Sequence, residues 1–280
     1  MNKTKIEWAD ATWNPVTGCF HDCPYCYAAR IARRFGLPYA PRLGDPGMEG
    51  AYKYDTDEAG MDTMLELEKP YVRGGRKQPF PMGFYPTLHR YRLDEPQKWK
   101  KPRTIFVCSM ADLFGEWVPD EWINAVFDAC RAAPQHNYLF LTKNYMRACH
   151  FRYEKNWWIG RTITHDEGMH GQDDPNLYLC YGRPKTAENK APWAEHQNKF
   201  ISLEPLQSAI PDLPYYAHDY GYKWVIVGAE TGNRFGKIVP EKPWINYIVA
   251  SCDARGVPVF MKDSLIPIVG EENMRREFPW

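Results

Sequence analysis

Cys19, Cys23 and Cys26 fall at the spacing C-x3-C-x2-C in a short loop, TWNPVTGCFHDCPYCYA at residues 12–28, just ahead of a helix-like run. Three thiolates this close can bind one metal centre, yet they leave a four-coordinate site one ligand short. A cluster held by three cysteines keeps one iron open to an outside ligand, which suits chemistry better than structure. A structural zinc site is the first alternative, with His21 or a distant residue as the fourth ligand. Such sites usually pair two cysteine knuckles, and this chain has no second one. A redox dithiol of Cys23 and Cys26 would leave Cys19 without a role. Cys108, Cys130, Cys149, Cys180 and Cys252 lie far apart, mostly beside apolar residues, and are expected to be buried free thiols. That scatter does not resemble a disulfide-stapled secreted scaffold, so a reducing cytoplasm is expected.

An open metal centre needs a pocket, and a pocket needs elements that end at a common rim. Helical patterning runs through Tyr27, Ala28, Ile31, Ala32 and Phe35, with Arg30, Arg33 and Arg34 on the other face, and stops at Gly36 and Pro38. A first strand is expected near residues 12–16. Further apolar runs of strand length follow at 104–109, 138–142, 157–164, 199–203, 224–228 and 257–261. Helix-like segments stand between several of them, at 120–133, 145–153 and 243–255. Continuous apolar strands alternating with helices mark a parallel sheet covered by helices. The expected fold is α/β: a partial (β/α) barrel of about six to seven parallel strands, with a doubly wound sheet as runner-up. Residues 1–280 read as one barrel domain carrying an insertion at 38–102, in which only a modest helix at 62–68 is expected.

Each strand run ends in polar residues. They are Ser109 and Asp112, Thr142 and Lys143, Thr164, Glu204, Glu230, then Lys262. In a parallel barrel the carboxyl ends of the strands share the rim on which active sites are built. The recurrence points to a polar pocket, although each residue taken singly serves equally well as a cap or surface loop.

The three-cysteine spacing with an aromatic residue, Tyr25, directly before the last cysteine resembles the signature of the radical S-adenosylmethionine superfamily. IEWADATWNPVTGC, IFVCSMADLF, FLTKN, FISLEPL, WVIVGAETG and GVPVFMK resemble the successive blocks of a phage-associated family within it, one without a firmly assigned substrate. Only 38–102 and 166–194 match poorly. The resemblance implies a [4Fe–4S] cluster on Cys19, Cys23 and Cys26 that cleaves S-adenosylmethionine to a 5′-deoxyadenosyl radical, with an electron donor such as flavodoxin or ferredoxin. The usual Gly-Gly-Glu after the second strand is absent. Ser109 and Asp112 take its place, and Asp112 is the positional candidate for the methionine ammonium. Thr142 and Lys143 are candidates for the methionine carboxylate or ribose, and Thr164, Glu204 and Glu230 for ribose or substrate. Cys108 is a conceivable hydrogen donor, with buried packing the preferred reading, and Lys262 could face the pocket.

The insertion alone speaks of a substrate. Its first part, 43–68, is acidic, and its second part, 69–103, mixes cations including Arg90, Arg92, Lys100 and Lys101 with Tyr71, Phe80, Phe84, Tyr85, Tyr91 and Trp99. Cations among aromatics suit a nucleic acid, cations on phosphates and rings on bases. The competing reading pairs the acidic and basic halves with each other. A base in DNA or RNA, single-stranded or flipped from a duplex, is the leading substrate class. A free nucleotide or other small molecule is the alternative, and a non-catalytic, zinc-stabilised nucleic-acid-binding protein is the rival outside enzymes.

The rest of the composition narrows the class. Hydrophobic content of 44% and charged content of 25% are those of a globular protein with a real core. The formal net charge is zero, so bulk charge identifies no partner. The opening MNKTKIEWAD carries no apolar run, so no signal peptide is expected. No stretch approaches the ~18 apolar residues of a membrane span.

Overall fold

The computed structural model of the chain describes residues 2–37, 51–56, 62–166, 198–214 and 221–280. Cys180, residues 43–50 of the acidic stretch and nearly all of 166–194 lie outside them. Two compact units divide the chain, Met1–Phe140 and Leu141–Trp280.

The first unit opens with β1 (Asn2–Lys3), β2 (Ala11–Trp13) and β3 (Val16–Thr17), then α1 (Tyr27–Phe35). Next come β4 (Ala51–Thr56), β5 (Asp62–Leu67), β6 (Val72–Arg73), β7 (Arg76–Lys77) and β8 (Thr87–His89). It continues with α2 (Glu95–Lys98), β9 (Thr104–Val107), α3 (Asp120–Arg131) and β10 (Asn137–Thr142), in which the division falls. β2, β9 and β10 run parallel, with Ala11 opposite Ile105 and Ile105 opposite Tyr138, while β1 pairs antiparallel to β2. All four residues of β9 are buried, as expected of a strand covered on both faces. Behind it Phe114, Phe127 and Phe140 meet edge to face at 5.3–6.3 Å between centroids, and Trp8 packs on Phe106 at 4.7 Å. α3 supplies the fully buried Trp122, Ile123 and Val126 to this core.

The insertion is more ordered than its sequence suggests. β3, β8, β5 and β4 form a separate four-stranded sheet, and β6 and β7 a small hairpin. The helix expected at 62–68 is instead the strand β5. Met64, Leu65 and Leu67 are spaced ambiguously between a helix face and a strand. Long-range pairing decides: Leu65 lies opposite Lys53 on β4 and opposite Thr87 on β8, and Leu65, Leu67, Tyr71 and Met82 form their own buried cluster. Tertiary partners override weak local preference here.

The second unit contains α4 (Tyr145–Ala148), β11 (Trp157–Thr162), β12 (Lys199–Leu203), β13 (Val225–Val227), α5 (Lys242–Asp253) and β14 (Val259–Met261). β11 to β14 pair in sequence order, all parallel. Trp224 is fully buried and stacks among Phe200, Phe260, Phe278 and Trp280 at 5.4–6.4 Å. The helix expected at 145–153 ends at Ala148. Its last carbonyl accepts from the Phe151 N–H at 3.2 Å and from the Tyr153 hydroxyl at 2.8 Å, which turns the chain away.

β2 and β9 to β14 are the seven parallel strands of one sheet, with helices between them. This is the α/β class, with the parallel-strand count expected of the partial barrel. Among the described residues no helix is long and apolar enough to cross a membrane.

Candidate metal centre

The loop between β3 and α1 carries all three cysteines, and its backbone is tied at both ends. Gly18 bridges Ala111, its N–H donates to the Met110 carbonyl at 2.9 Å, and the Cys19 N–H donates to the Phe84 carbonyl at 3.0 Å. Gly18 has φ +90, and a Cβ there would stand 2.1 Å from the Tyr85 carbonyl oxygen, so only glycine fits. At the other end the Cys26 N–H closes a turn on the Cys23 carbonyl at 3.0 Å. Cys26 is also the N-cap of α1, its Sγ accepting from the Ala29 N–H at 3.4 Å. A helix N-terminus favours negative charge in a group placed there.

Asp112 holds the middle of the loop. Its Oδ2 lies 2.8 Å from His21 Nε2, and its Oδ1 accepts from the Phe114 N–H at 3.1 Å. His21 is thereby committed to a carboxylate 91 positions away rather than to a neighbouring thiol. Its ring meets Trp117 edge-on at 4.9 Å, and Phe20 packs against Trp117 and Tyr85. Tyr27 adds a second clamp, its hydroxyl donating to the Ser109 carbonyl at 2.6 Å. Sequence reasoning assigned Asp112 by position to a ligand ammonium and missed both clamps. Their partners are too distant in sequence to leave a local signal.

β9 ends in a sharp turn that brings Ser109 to Asp112 back under the loop. Cys108 carries it with φ +56, a left-handed conformation costly for a residue with a Cβ and frequent at functional sites. The side chain is buried, and burial pushes its thiol up to about 12. Asn14 supports the turn, its Oδ1 accepting from Ser109 Oγ at 3.2 Å and from the Met110 N–H at 3.0 Å.

The donor set fits a thiolate-held group in kind and in sequence spacing. Cys19, Cys23 and Cys26 are half-buried and free of disulfides. Burial raises the Cys19 thiol to about 12; a backbone hydrogen bond at His21 opposes the rise, and Asp112, Cys26 and Cys23 each add to it. A bound cation favours the thiolate form and draws off the protons. Among the described residues no three His, Cys, Asp or Glu side chains are already gathered on a common point for a metal ion. Tyr25 is half-buried within the loop.

The second unit places its candidate residues in separate local arrangements. Thr142 is buried, its Oγ1 accepting from the Asn144 N–H at 2.9 Å ahead of α4, and Lys143 beside it is half-buried. Thr164 is buried, with its hydroxyl 3.1 Å from His165 Nδ1. Glu204 and Lys262, following β12 and β14, are brought together: Nζ lies 2.7 Å from Oε1, and Oε2 accepts from Ser202 Oγ at 3.0 Å. Gly228 passes beside both, where a Cβ would be 3.0 Å from Lys262 Cδ. Glu230 is buried and held by Arg234 through two bonds at 2.7 and 2.8 Å. A cleft of about 510 Å³ between α5 and the C-terminal segment involves none of these candidate residues.

The four basic residues assigned to nucleic acid divide. Arg90 bonds Glu66 at 2.5 Å and lies 3.4 Å from Glu68, so the basic half of the insertion pairs with its acidic half here. Arg92 donates to the Asn14 carbonyl at 2.9 Å and to the Tyr91 hydroxyl at 3.1 Å. Lys100 and Lys101 are exposed.

A family model described as "Protein of unknown function (DUF5131)" matches residues 3–265. No curated protein and no solved structure matches the chain.

Proposed function

The chain belongs to the DUF5131 family, and from that premise we propose that it is a radical S-adenosylmethionine enzyme whose substrate is a base of DNA or RNA. The observation that carries this reading is the trio Cys19, Cys23 and Cys26, half-buried and free of disulfides in one clamped loop. Held by Cys19, Cys23 and Cys26, a [4Fe–4S] cluster would supply an open iron for S-adenosylmethionine and the electron for its reductive cleavage.

The chain's own residues do the positioning. The Gly18 and Cys19 amides fix where the loop leaves β3, and Asp112 fixes its middle through His21. The Ala29 amide in the first turn of α1 donates to Cys26 Sγ and orients it. Phe20 packs against Trp117 and Tyr85 and ties the loop to those rings. Ser109, Thr142, Lys143, Thr164 and Glu230 remain candidates for the cofactor's polar groups. Lys262 with Glu204 offers a donor and an acceptor to a substrate, at the ends of β14 and β12 on either side of β13. Electrons would come from a protein such as flavodoxin or ferredoxin.

The reading predicts that anaerobically reconstituted protein, given dithionite and S-adenosylmethionine, releases 5′-deoxyadenosine, and that Cys26→Ala releases none. Equal release from wild type and the variant, or none from a fully loaded protein, would overturn it.

A further inference from the structure

The β6–β7 hairpin is anchored at its root and bare at its tip. Gly74 and Gly75 join the strands with φ +55 and +72, the paired left-handed conformation of a two-residue type I′ turn. The register sets Val72 opposite Lys77 and Arg73 opposite Arg76, so the two arginines share one face of the ribbon and Lys77 stands on the other. A Cβ on either glycine would meet nothing within 4 Å, and every residue from Val72 to Lys77 is exposed. At the root, Tyr71 is buried with Leu65, Leu67 and Met82, and the Gln78 N–H donates to the Tyr71 carbonyl at 2.8 Å. Met82 lies two residues before Phe84, whose carbonyl holds the Cys19 amide. The hairpin root and the cysteine loop therefore rest on one stretch of chain.

Residues 69–78, KPYVRGGRKQ, carry cations and no acid. Lys69, Arg76 and Lys77 are exposed and enter no ion pair among the described residues. Elsewhere in the insertion Arg90 is bound to Glu66, and Lys98 to Asp94. Exposed cations on a narrow ribbon complement a phosphate backbone. Two strands about 4.8 Å apart, with their side chains, fit the major groove of B-DNA, which is about 12 Å wide and admits a two-stranded ribbon. The deep, narrow major groove of an RNA duplex does not admit side chains. Glycines at the tip let the backbone approach a groove floor closely.

We infer that the β6–β7 hairpin is the contact element for a DNA duplex, seated in the major groove with Lys69, Arg76 and Lys77 on phosphates. This rests on the nucleic-acid reading of the substrate and narrows it to double-stranded DNA.

The test is fluorescence anisotropy of the reconstituted protein with a labelled DNA duplex over a range of potassium chloride concentrations. Each phosphate contact on a duplex contributes about 0.9 to the slope of log K against log salt. The combined variant Lys69→Ala, Arg76→Ala and Lys77→Ala should therefore lower the slope by about 2.7, with its urea midpoint unchanged. Arg76→Lys should keep the slope, and so should Lys100→Ala with Lys101→Ala. Wild type should bind an RNA duplex of the same sequence more weakly, with a slope that the hairpin variant does not change. An unchanged slope on DNA in the hairpin variant, while wild type binds, overturns the assignment to the hairpin and leaves the nucleic-acid reading standing. An equal loss of slope on the DNA and RNA duplexes overturns the seating in the major groove. Absence of salt-dependent binding by wild type to any DNA or RNA removes the nucleic-acid reading and this inference together.

Discussion

Glu66→Ala should destabilise the first unit by about 3 kcal/mol, because one carboxylate serves two partners. Glu66 Oε1 accepts from Trp122 Nε1 at 2.6 Å, and Oε2 accepts from Arg90 Nε at 2.5 Å. Trp122 is fully buried, so removing its acceptor strands an indole N–H at a cost of about 1–3 kcal/mol. The Arg90 side chain is 36% exposed, so solvent screens its half of the pair. A charged bond of this kind falls near the low end of its range, about 1.5 kcal/mol. Glu66→Gln keeps an acceptor for Trp122 and should cost only about that smaller amount. Arg90→Ala should cost about as much, and the double-mutant cycle with Glu66→Ala should give a coupling of about 1 kcal/mol. Urea unfolding read by tryptophan fluorescence compares wild type with all four variants. Coupling near zero, with oligonucleotide binding lost in Arg90→Ala, would refute the reasoning and return Arg90 to the nucleic-acid surface.

Other outcomes follow from single residues. Gly18→Ala forces a side chain into a left-handed backbone at about 1–2 kcal/mol and onto the Tyr85 carbonyl, so iron uptake in reconstitution should fall before the fold is lost. His89 is fully buried between Thr17 Oγ1 and Tyr91 OH, and burial, with Arg92 adding to it, lowers its pKa well below 6.5. The unfolded chain takes up that proton near pH 6.5 and the folded chain does not. Stability is therefore fully present above that pH and falls by up to about 1.4 kcal/mol per unit below it, until the folded pKa is reached. His89→Gln should flatten this limb in urea titrations run between pH 7 and 5. Iodoacetamide with peptide mass spectrometry should label the half-buried Cys23 and Cys26 in metal-free protein ahead of the buried Cys108, Cys130, Cys149 and Cys252. Reconstitution should protect Cys23 and Cys26, and labelling of Cys108 at a matching rate would contradict its burial.

The parts of this protein written in local pattern were legible. β12 has the bounds of its apolar run, 199–203, because every residue is buried and nothing in the run is ambiguous. α1 announces itself by alanines and arginines on opposite faces, and the three thiols by their spacing alone. What sequence could not supply is pairing across distance. β5 became a strand because β4 and β8 were available to it. Asp112 turned out to serve His21, and Arg90 to serve Glu66, because the fold sets each beside a partner that no spacing rule reaches.

The central claim, that Cys19, Cys23 and Cys26 hold an iron–sulfur cluster with one open iron, is tested most directly by metal and sulfide analysis of anaerobically isolated protein with electron paramagnetic resonance. The account predicts about four iron and four sulfide per chain, broad absorption near ~400 nm, and a spectrum that changes when S-adenosylmethionine is added. All three should be lost on replacing any one of the cysteines by alanine. A colourless protein carrying one zinc per chain, or iron retained without Cys19, Cys23 or Cys26, would contradict it.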